Sequence, residues 1–265
     1  EENKMKKLIL SVFLLAAINS IYSQWTVNYQ HTNGAVTALS FLNSRLGIAS
    51  FSQTLDGNVI LKTSNAGTNW ISAYNSMDGG IRTSKFQSTD TILAIKLWYL
   101  YVQIYPGGIR TDTAKLIMNN GSINAIQIIN KNFVCMMSNV GLFCKTINGG
   151  LLWDTLSIKP GGDSRGVNGL HFVNNNTGYC CGNDGLFYKT TNGGGAWQQL
   201  SHGLGNINFN YVYFPTNDTG FAVAGSNLYK TVNGGNNWTQ LVNFPTWYNN
   251  INGLSCPTAA TIYAV

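Results

Sequence analysis

The sequence predicts an all-β protein assembled from repeated four-stranded antiparallel units. Three observations carry that expectation. A ten-residue corner is spelled four times, an apolar segment returns with a mean period of 43 residues, and the composition favours strands and turns over helices. Only 10% of the 265 residues are charged and 12% are aromatic, with 29 glycines and abundant Asn and Thr. Such a chain has few residues for exposed helix faces and many for corners and pleated surfaces.

The N-terminal segment stands apart. Met5, Lys6 and Lys7 precede the apolar run LILSVFLLAAI (8–18), and a short polar stretch ends in IYSQ (21–24). A basic start, an apolar centre and a candidate cleavage point after Ser23 read as an export signal over 1–23, with Glu1–Lys4 an upstream extension. The alternative is a membrane anchor, for which the run is short. Removing 1–23 leaves 13 Lys and Arg against eight Asp and no Glu, a net charge of +5. The expected product is exported to the periplasm, cell surface or medium, with no further span. Its mild positive charge, with no arginine-rich helix, zinc spacing or phosphate loop, does not point to nucleic acid.

The body, 24–265, opens its units on TALSF, TSKF, NAIQI, NGLHF, NYVYF and NGLSC. These end at Phe41, Phe86, Ile128, Phe172, Phe214 and Cys256, so the units begin near 37, 82, 124, 168, 210 and 252. Within a unit, NGLHFVNNNTGYCCG (168–182) reads as strand, polar turn, strand, and DGLFYKTTNGGGAWQQL (184–200) reads as strand, corner, strand. Four short strands per 43 residues is the blade of a β-propeller. A β-solenoid is the alternative, but its coils are shorter.

The corner is LKTSNAGTNW at 61–70, CKTINGGLLW at 144–153, YKTTNGGGAW at 188–197 and YKTVNGGNNW at 229–238. Thr63, Thr146, Thr190 and Thr231 end a strand and can bond across the turn. Asn65, Asn148, Asn192 and Asn233 can accept from nearby backbone amides. Gly67, Gly150, Gly194 and Gly235 supply positive φ. Trp70, Trp153, Trp197 and Trp238 return on the outer strand with large surface to bury between sheets. The motif reads as a structural staple between the last two strands of a blade; a ligand site at each copy is the alternative.

The second unit is worn. In YVQIYPGGIRT (101–111), Gln103 takes the Lys position, Pro106 the Asn position and Thr111 the Trp position, while Gly107 and Gly108 persist. Trp98 is the expected substitute bulk. The last unit, NGLSCPTAATIYAV (252–265), matches the first two strands of a blade. Seven blades would need about 300 residues, so the expected whole is about seven blades, six of them visible here. Trp25 and its neighbours are candidates to close the last one.

The five cysteines are Cys135, Cys144, Cys180, Cys181 and Cys256. Cys135 and Cys144 could face each other on adjacent strands, although an odd number fits buried thiols acting as small hydrophobes.

The corners resemble the Asp-box, or BNR, repeat, Ser/Thr-x-Asp-x-Gly-x-Thr-Trp, with Asn in place of Asp in all four copies. The wider unit, as in FVNNNTGYCCGNDGLFYKTTNGGGAW (172–197) and FPTNDTGFAVAGSNLYKTVNGGNNW (214–238), resembles that of photosystem II assembly/stability factor propellers and related secreted bacterial repeat proteins. The resemblance implies a WD40/YVTN-like propeller, exported, usually seven-bladed and non-enzymatic, that binds nascent membrane-protein partners without a cofactor. The arginine patch of that family is not recognisable: Arg45, Arg82, Arg110 and Arg165 fall at unrelated repeat positions.

Asp-box propellers also include sialidases and other glycosidases. Such chemistry calls for paired carboxylates, and sialidases add an arginine cluster and a Glu-activated Tyr. With no Glu after residue 23, the acids are eight Asp. Asp56, Asp184 and Asp218 have a turn role, and Asp78, Asp112 and Asp163 have no second carboxylate set against them in the pattern. His31, His171 and His202 share no short spacing, which leaves no triad or metal signal. The expected protein is therefore a binding scaffold. Lys62, Lys145, Lys189 and Lys230 recur at one blade position, and with Tyr188 and Tyr229 beside two of them they are the candidate contacts for an acidic protein segment. Edge protection and solubility are the alternative role for the lysines. A glycan is the alternative partner.

Overall fold

The computed structural model describes residues 35–54, 57–76, 81–96, 100–105, 108–110, 121–159, 161, 163–243, 251, 254–258 and 261–264. The export signal, Trp25, Trp98, Pro106 and Thr111 lie outside the described residues, and so does the side chain of Cys256. No helix among the described residues is long and apolar enough to cross a membrane.

The chain is all-β and forms consecutive antiparallel meanders. Blade 1 contains β1 (Ala35–Phe41), β2 (Gly47–Thr54), β3 (Gly57–Thr63) and β4 (Ile71–Ser76). Blade 2 contains β5 (Ile81–Phe86), β6 (Ile92–Lys96), β7 (Leu100–Tyr105) and β8 (Gly108–Arg110). Blade 3 contains β9 (Ile123–Ile128), β10 (Val134–Ser138), β11 (Leu142–Thr146) and β12 (Asp154–Ser157). Blade 4 contains β13 (Val167–Phe172), β14 (Gly178–Gly182), β15 (Phe187–Thr190) and β16 (Gln198–Gln199). Blade 5 contains β17 (Tyr211–Tyr213), β18 (Gly220–Ala224), β19 (Asn227–Thr231) and β20 (Thr239–Asn243). Strands β21 (Leu254–Thr258) and β22 (Thr261–Ala264) pair as a hairpin. First strands neighbour one another in chain order, β9 beside β13, β13 beside β17 and β17 beside β21, so each blade faces the next around an axis.

The apolar cores lie in the seams between blades, which explains the sequence pattern strand by strand. Second strands β10, β14 and β18 are buried along their whole length, because a neighbouring blade covers each of their faces. The outer strand β12 is exposed throughout, and three of its four residues are Asp, Thr and Ser. Phe143 of blade 3 packs with Phe172 and Trp197 of blade 4, and Phe187 of blade 4 packs with Trp238 of blade 5. The Phe-to-Gly spacing within a unit has a steric cause. A Cβ on Gly47, Gly178 or Gly220 would come within 2.4, 2.8 or 2.4 Å of the rings of Phe41, Phe172 and Phe214 respectively.

The cysteines correct one expectation. Cys135 is registered with Lys145, and Cys144 with Met136, so the two thiols point to opposite faces of blade 3 and cannot face each other. Cys135 joins the seam with blade 4 and Cys144 the seam with blade 2. Cys135, Cys144, Cys180 and Cys181 are buried free thiols. Burial pushes the Cys144 thiol up to about 12, a thiol kept protonated and unreactive.

Candidate functional site: the corner face and an open seam

The four corners share one bonding scheme. Each Thr side chain is 1% exposed, and its hydroxyl donates to the Asn Oδ1 two residues on, at 3.0, 2.9, 3.0 and 2.9 Å in blades 1, 3, 4 and 5. The same hydroxyl accepts the N–H of Gly67, Gly150, Gly194 or Gly235 at 2.9–3.1 Å. The Asn Oδ1 also accepts the backbone N–H four residues on, at 2.8–3.0 Å. Every polar atom of the buried hydroxyl is thereby used.

Two successive residues, and not one, take left-handed backbone. Ahead of Gly67, Gly150, Gly194 and Gly235 stand Ala66, Gly149, Gly193 and Gly234, with φ of 59°, 73°, 66° and 69°. Three blades meet this demand with a second glycine, and blade 1 holds a strained Ala there. The N–H of that residue donates to the first loop of its own blade: Ala66 to Arg45 O, Gly149 to Asn132 O, Gly193 to Asn176 O and Gly234 to Asp218 O. Those first loops are themselves Asx or Ser/Thr turns. Asn43, Asn130 and Asn174, and the hydroxyls of Ser88 and Thr216, each accept two backbone amides. The recurrence of a small polar residue two positions after the unit-opening apolar residue is the sequence signal for them.

Two of the four lysines tie one blade to the next, and the other two cover a ring of their own blade. Lys62 Nζ donates to Thr89 O of blade 2 at 3.2 Å, and Lys145 Nζ donates to Gly193 O of blade 4 at 3.0 Å. Lys189 lies over the Tyr179 ring at 5.2 Å, and Lys230 over Phe221 at 5.8 Å. All four remain half-buried, with their stems along apolar surface. The tyrosines beside two of them are a correction. Tyr188 and Tyr229 are 3% and 9% exposed and fill the seams facing blades 3 and 4, because alternate strand residues point to opposite faces. They offer no contact surface for a partner.

The seam between blades 3 and 4 is open on the corner face. A cleft of about 420 Å³ lies there, lined by Lys145, Ile147, Phe133, Gly193 and five asparagines: Asn130, Asn132, Asn175, Asn176 and Asn192. The cross-strand partner of Lys145 is Cys135, where the partners of Lys189 and Lys230 are Tyr179 and Phe221. No carboxylate lines this cleft.

Around the axis, polar side chains tie the inner edges of blades 2, 3, 4 and 5 in succession. Lys85 Nζ donates to Ile126 O, Gln127 bonds both the N–H and C=O of Phe172, and His171 Nδ1 accepts the N–H of Phe214 at 3.1 Å. Burial first, and the Lys85 charge second, lower the His171 pKa to about 4, so its ring is neutral and carries its proton on Nε2. His202 is buried too, with Nε2 2.9 Å from Gly185 O and Nδ1 accepting Leu204 N–H. Both described histidines are structural pins. Asp163 is gripped by Arg165 through Nε and a terminal guanidinium nitrogen at 2.7–3.2 Å. That bonding, partly opposed by burial, holds its carboxyl at about 2. Asp78 and Asp112 lie outside the described residues. Among the described residues, no group of three or more His, Cys, Asp or Glu could hold a metal.

No protein-family profile matches the sequence, and no curated protein matches it. Solved structures do. YCF48 bound to D1 peptide superposes with a TM-score of 0.72 at 15% identity, over 93% of this chain and 79% of that one. YCF48 from Cyanidioschyzon merolae gives 0.67 at 15% identity, over 87% and 77%. The GH74 enzyme of Niastella koreensis gives 0.60 at 16% identity, over 77% of this chain but 38% of that one. The fold is that of a β-propeller, similar to YCF48, to the GH74 enzyme and to the WD40 β-propeller domain of Doa1.

Proposed function

We propose that this chain is an exported, non-enzymatic propeller scaffold that binds a protein partner through its corner face, in the assembly or stabilisation of a membrane or cell-surface complex. The observation that carries the reading is the open seam between blades 3 and 4, where Lys145 and a set of carboxamides line a cleft that contains no carboxylate. Support comes from the similar propeller YCF48, whose structure was solved with a D1 peptide. The aspartates speak against hydrolysis. Asp163 is neutralised by Arg165, and Asp218 sits in a first loop whose carbonyl holds its own corner. Glycoside hydrolysis needs a pair of free carboxyl groups, and that of Asp163 is not free.

The test is in-cell crosslinking of the tagged full chain in its own host, followed by identification of crosslinked polypeptides. One dominant envelope or membrane polypeptide is expected, lost when Lys145 and Ile147 are replaced. A second reading, carbohydrate binding, is favoured by the GH74 likeness. Binding on a glycan array, or release of reducing ends from xyloglucan, with no crosslinked polypeptide, would replace the scaffold reading with that one.

A further inference from the structure

The corner of blade 3 differs from its three counterparts in a way its structural role does not require. It reads Ile147, Leu151 and Leu152 where blade 4 has Thr191, Gly195 and Ala196, and where blade 5 has Val232, Asn236 and Asn237. These side chains are 67%, 58% and 74% exposed. The bonds of the corner are made by Thr146, Asn148 and main-chain atoms, and none of the three apolar side chains takes part in them. Three large apolar groups therefore stand in water together, where the corners of blades 4 and 5 hold at most one, Val232. Such surface is retained for contact.

This corner also borders the cleft. Ile147 and Lys145, two residues apart, both line it. Lys145 has one described bond, to Gly193 O, which leaves its other N–H groups for an incoming acceptor. Asp154, its cross-strand neighbour on β12, makes no ion pair with it. Carboxamides line the rest, Asn130 and Asn132 from the first loop of blade 3 and Asn175, Asn176 and Asn192 from blade 4. Those of Asn132 and Asn176 make no described hydrogen bond, and a carboxamide presents a donor and an acceptor that match a peptide group.

We propose that this cleft takes an extended peptide segment with an apolar side chain and a carboxylate one or two residues apart. The apolar group lies on Ile147, Leu151 and Leu152, the carboxylate meets Lys145, and the asparagines on both sides of the seam bond the main chain. The inference rests on the scaffold reading above and gives the partner its chemistry. Charge complementarity favours an acidic segment, since the lining holds a lysine and no acid. A sugar is less well served, because the one aromatic ring in the lining, Phe133, is 5% exposed and cannot offer its face.

The test is panning of a displayed random dodecapeptide library on the purified chain, then titration of the best synthetic peptide against variants. Enriched peptides are expected to pair Leu, Ile, Val or Phe with Asp, Glu or a free C-terminus. Affinity is expected to fall about tenfold or more in Ile147→Asn and Leu152→Asn, whose side chains the fold does not need, and in Lys145→Gln. The counterparts Val232→Asn and Lys189→Gln should leave it unchanged. Enriched peptides indifferent to the blade 3 variants would overturn the cleft and leave the scaffold standing. No enrichment, with a crosslinked partner still found in cells, would also overturn it. Binding of anionic phospholipid vesicles that is lost in Leu152→Asn, without peptide enrichment, would make the corner a membrane contact instead.

Discussion

At the seam between blades 4 and 5, Tyr179 stacks on Phe214 at 3.6 Å, gives its hydroxyl to Asn217 O and carries Lys189 over its ring. At the seam between blades 3 and 4 the same strand position is Cys135; Lys145 reaches instead to Gly193 O, and a cleft stands beside it. The two seams share corners, first loops and axial ties. One side chain decides whether the space under the lysine is occupied. A repeat protein can thus create a site at one boundary while its neighbours keep the scaffold closed, because the bonds that hold the corner are independent of what fills the seam.

The sharpest way to break this comparison is to empty the filled seam. Phe187 is wholly buried and touches the rings of Tyr179, His202, Phe209 and Trp238. Phe187→Ala is expected to cost about 3–5 kcal/mol in chemical denaturation. Phe143→Ala, with Phe172 and Trp197 as its aromatic neighbours, should cost less. The reverse order would show that the open seam is the better packed.

Next come the corner glycines. A Cβ on Gly194 would lie 2.2 Å from the Phe143 ring, and one on Gly235 lies 3.2 Å from Leu200. Both residues have positive φ. Gly194→Ala should cost about 3 kcal/mol, from crowding plus left-handed strain, and Gly235→Ala about 1 kcal/mol, mostly from strain, since Leu200 and Phe187 need yield only slightly. Equal losses by thermal denaturation would remove Phe143 from the account.

Acid separates the seams as well. His171 ties blade 4 to blade 5 as a neutral acceptor, whereas Gln127 does this between blades 3 and 4 and does not titrate. Because burial lowers the folded-state pKa to about 4, protonation favours the unfolded chain. Stability that is full above the ordinary pKa of about 6.5 should fall as pH drops towards 4, by on the order of 2 kcal/mol. Hydrogen exchange at the Phe214 amide should rise over that range, and a His171→Gln variant should lose the pH dependence. A wild-type profile flat between pH 6.5 and 4 counts against the neutral ring.

Two smaller effects complete the set. Tyr179→Phe keeps the stack and loses the bond to Asn217 O, for about 1 kcal/mol. Asn192→Asp should fall within about 0.5 kcal/mol of the parent, because both corner bonds are accepted by Oδ1, which Asp retains. A loss as large as that of Asn192→Leu would mean that the amide nitrogen has an unseen role.

Much of the corner was legible because its chemistry is local. Thr190, Asn192 and Gly194 meet within five residues of chain, so their spacing alone states the geometry. The Gly-Gly pair carries the second left-handed residue as well, although the Asn-x-Gly spacing by itself predicts only one. The cleft was not legible. It joins Lys145 to Asn175 and Asn176, about thirty residues away on another blade, and depends on the absence of a ring at Cys135. Tyr188 and Tyr229 are buried for a related reason. Adjacency to a lysine in sequence places a strand residue on the opposite face, and here both faces of the blade are covered.

By itself the sequence determined the repeat, its four strands and the construction of each corner, since these follow from hydrogen bonds and steric limits within a few residues. Only the tertiary structure decided which lysine faces a cleft, which tyrosines are buried and which histidine ties two blades. Those outcomes depend on what the next blade places some 43 residues away in the chain, and no local rule carries that information.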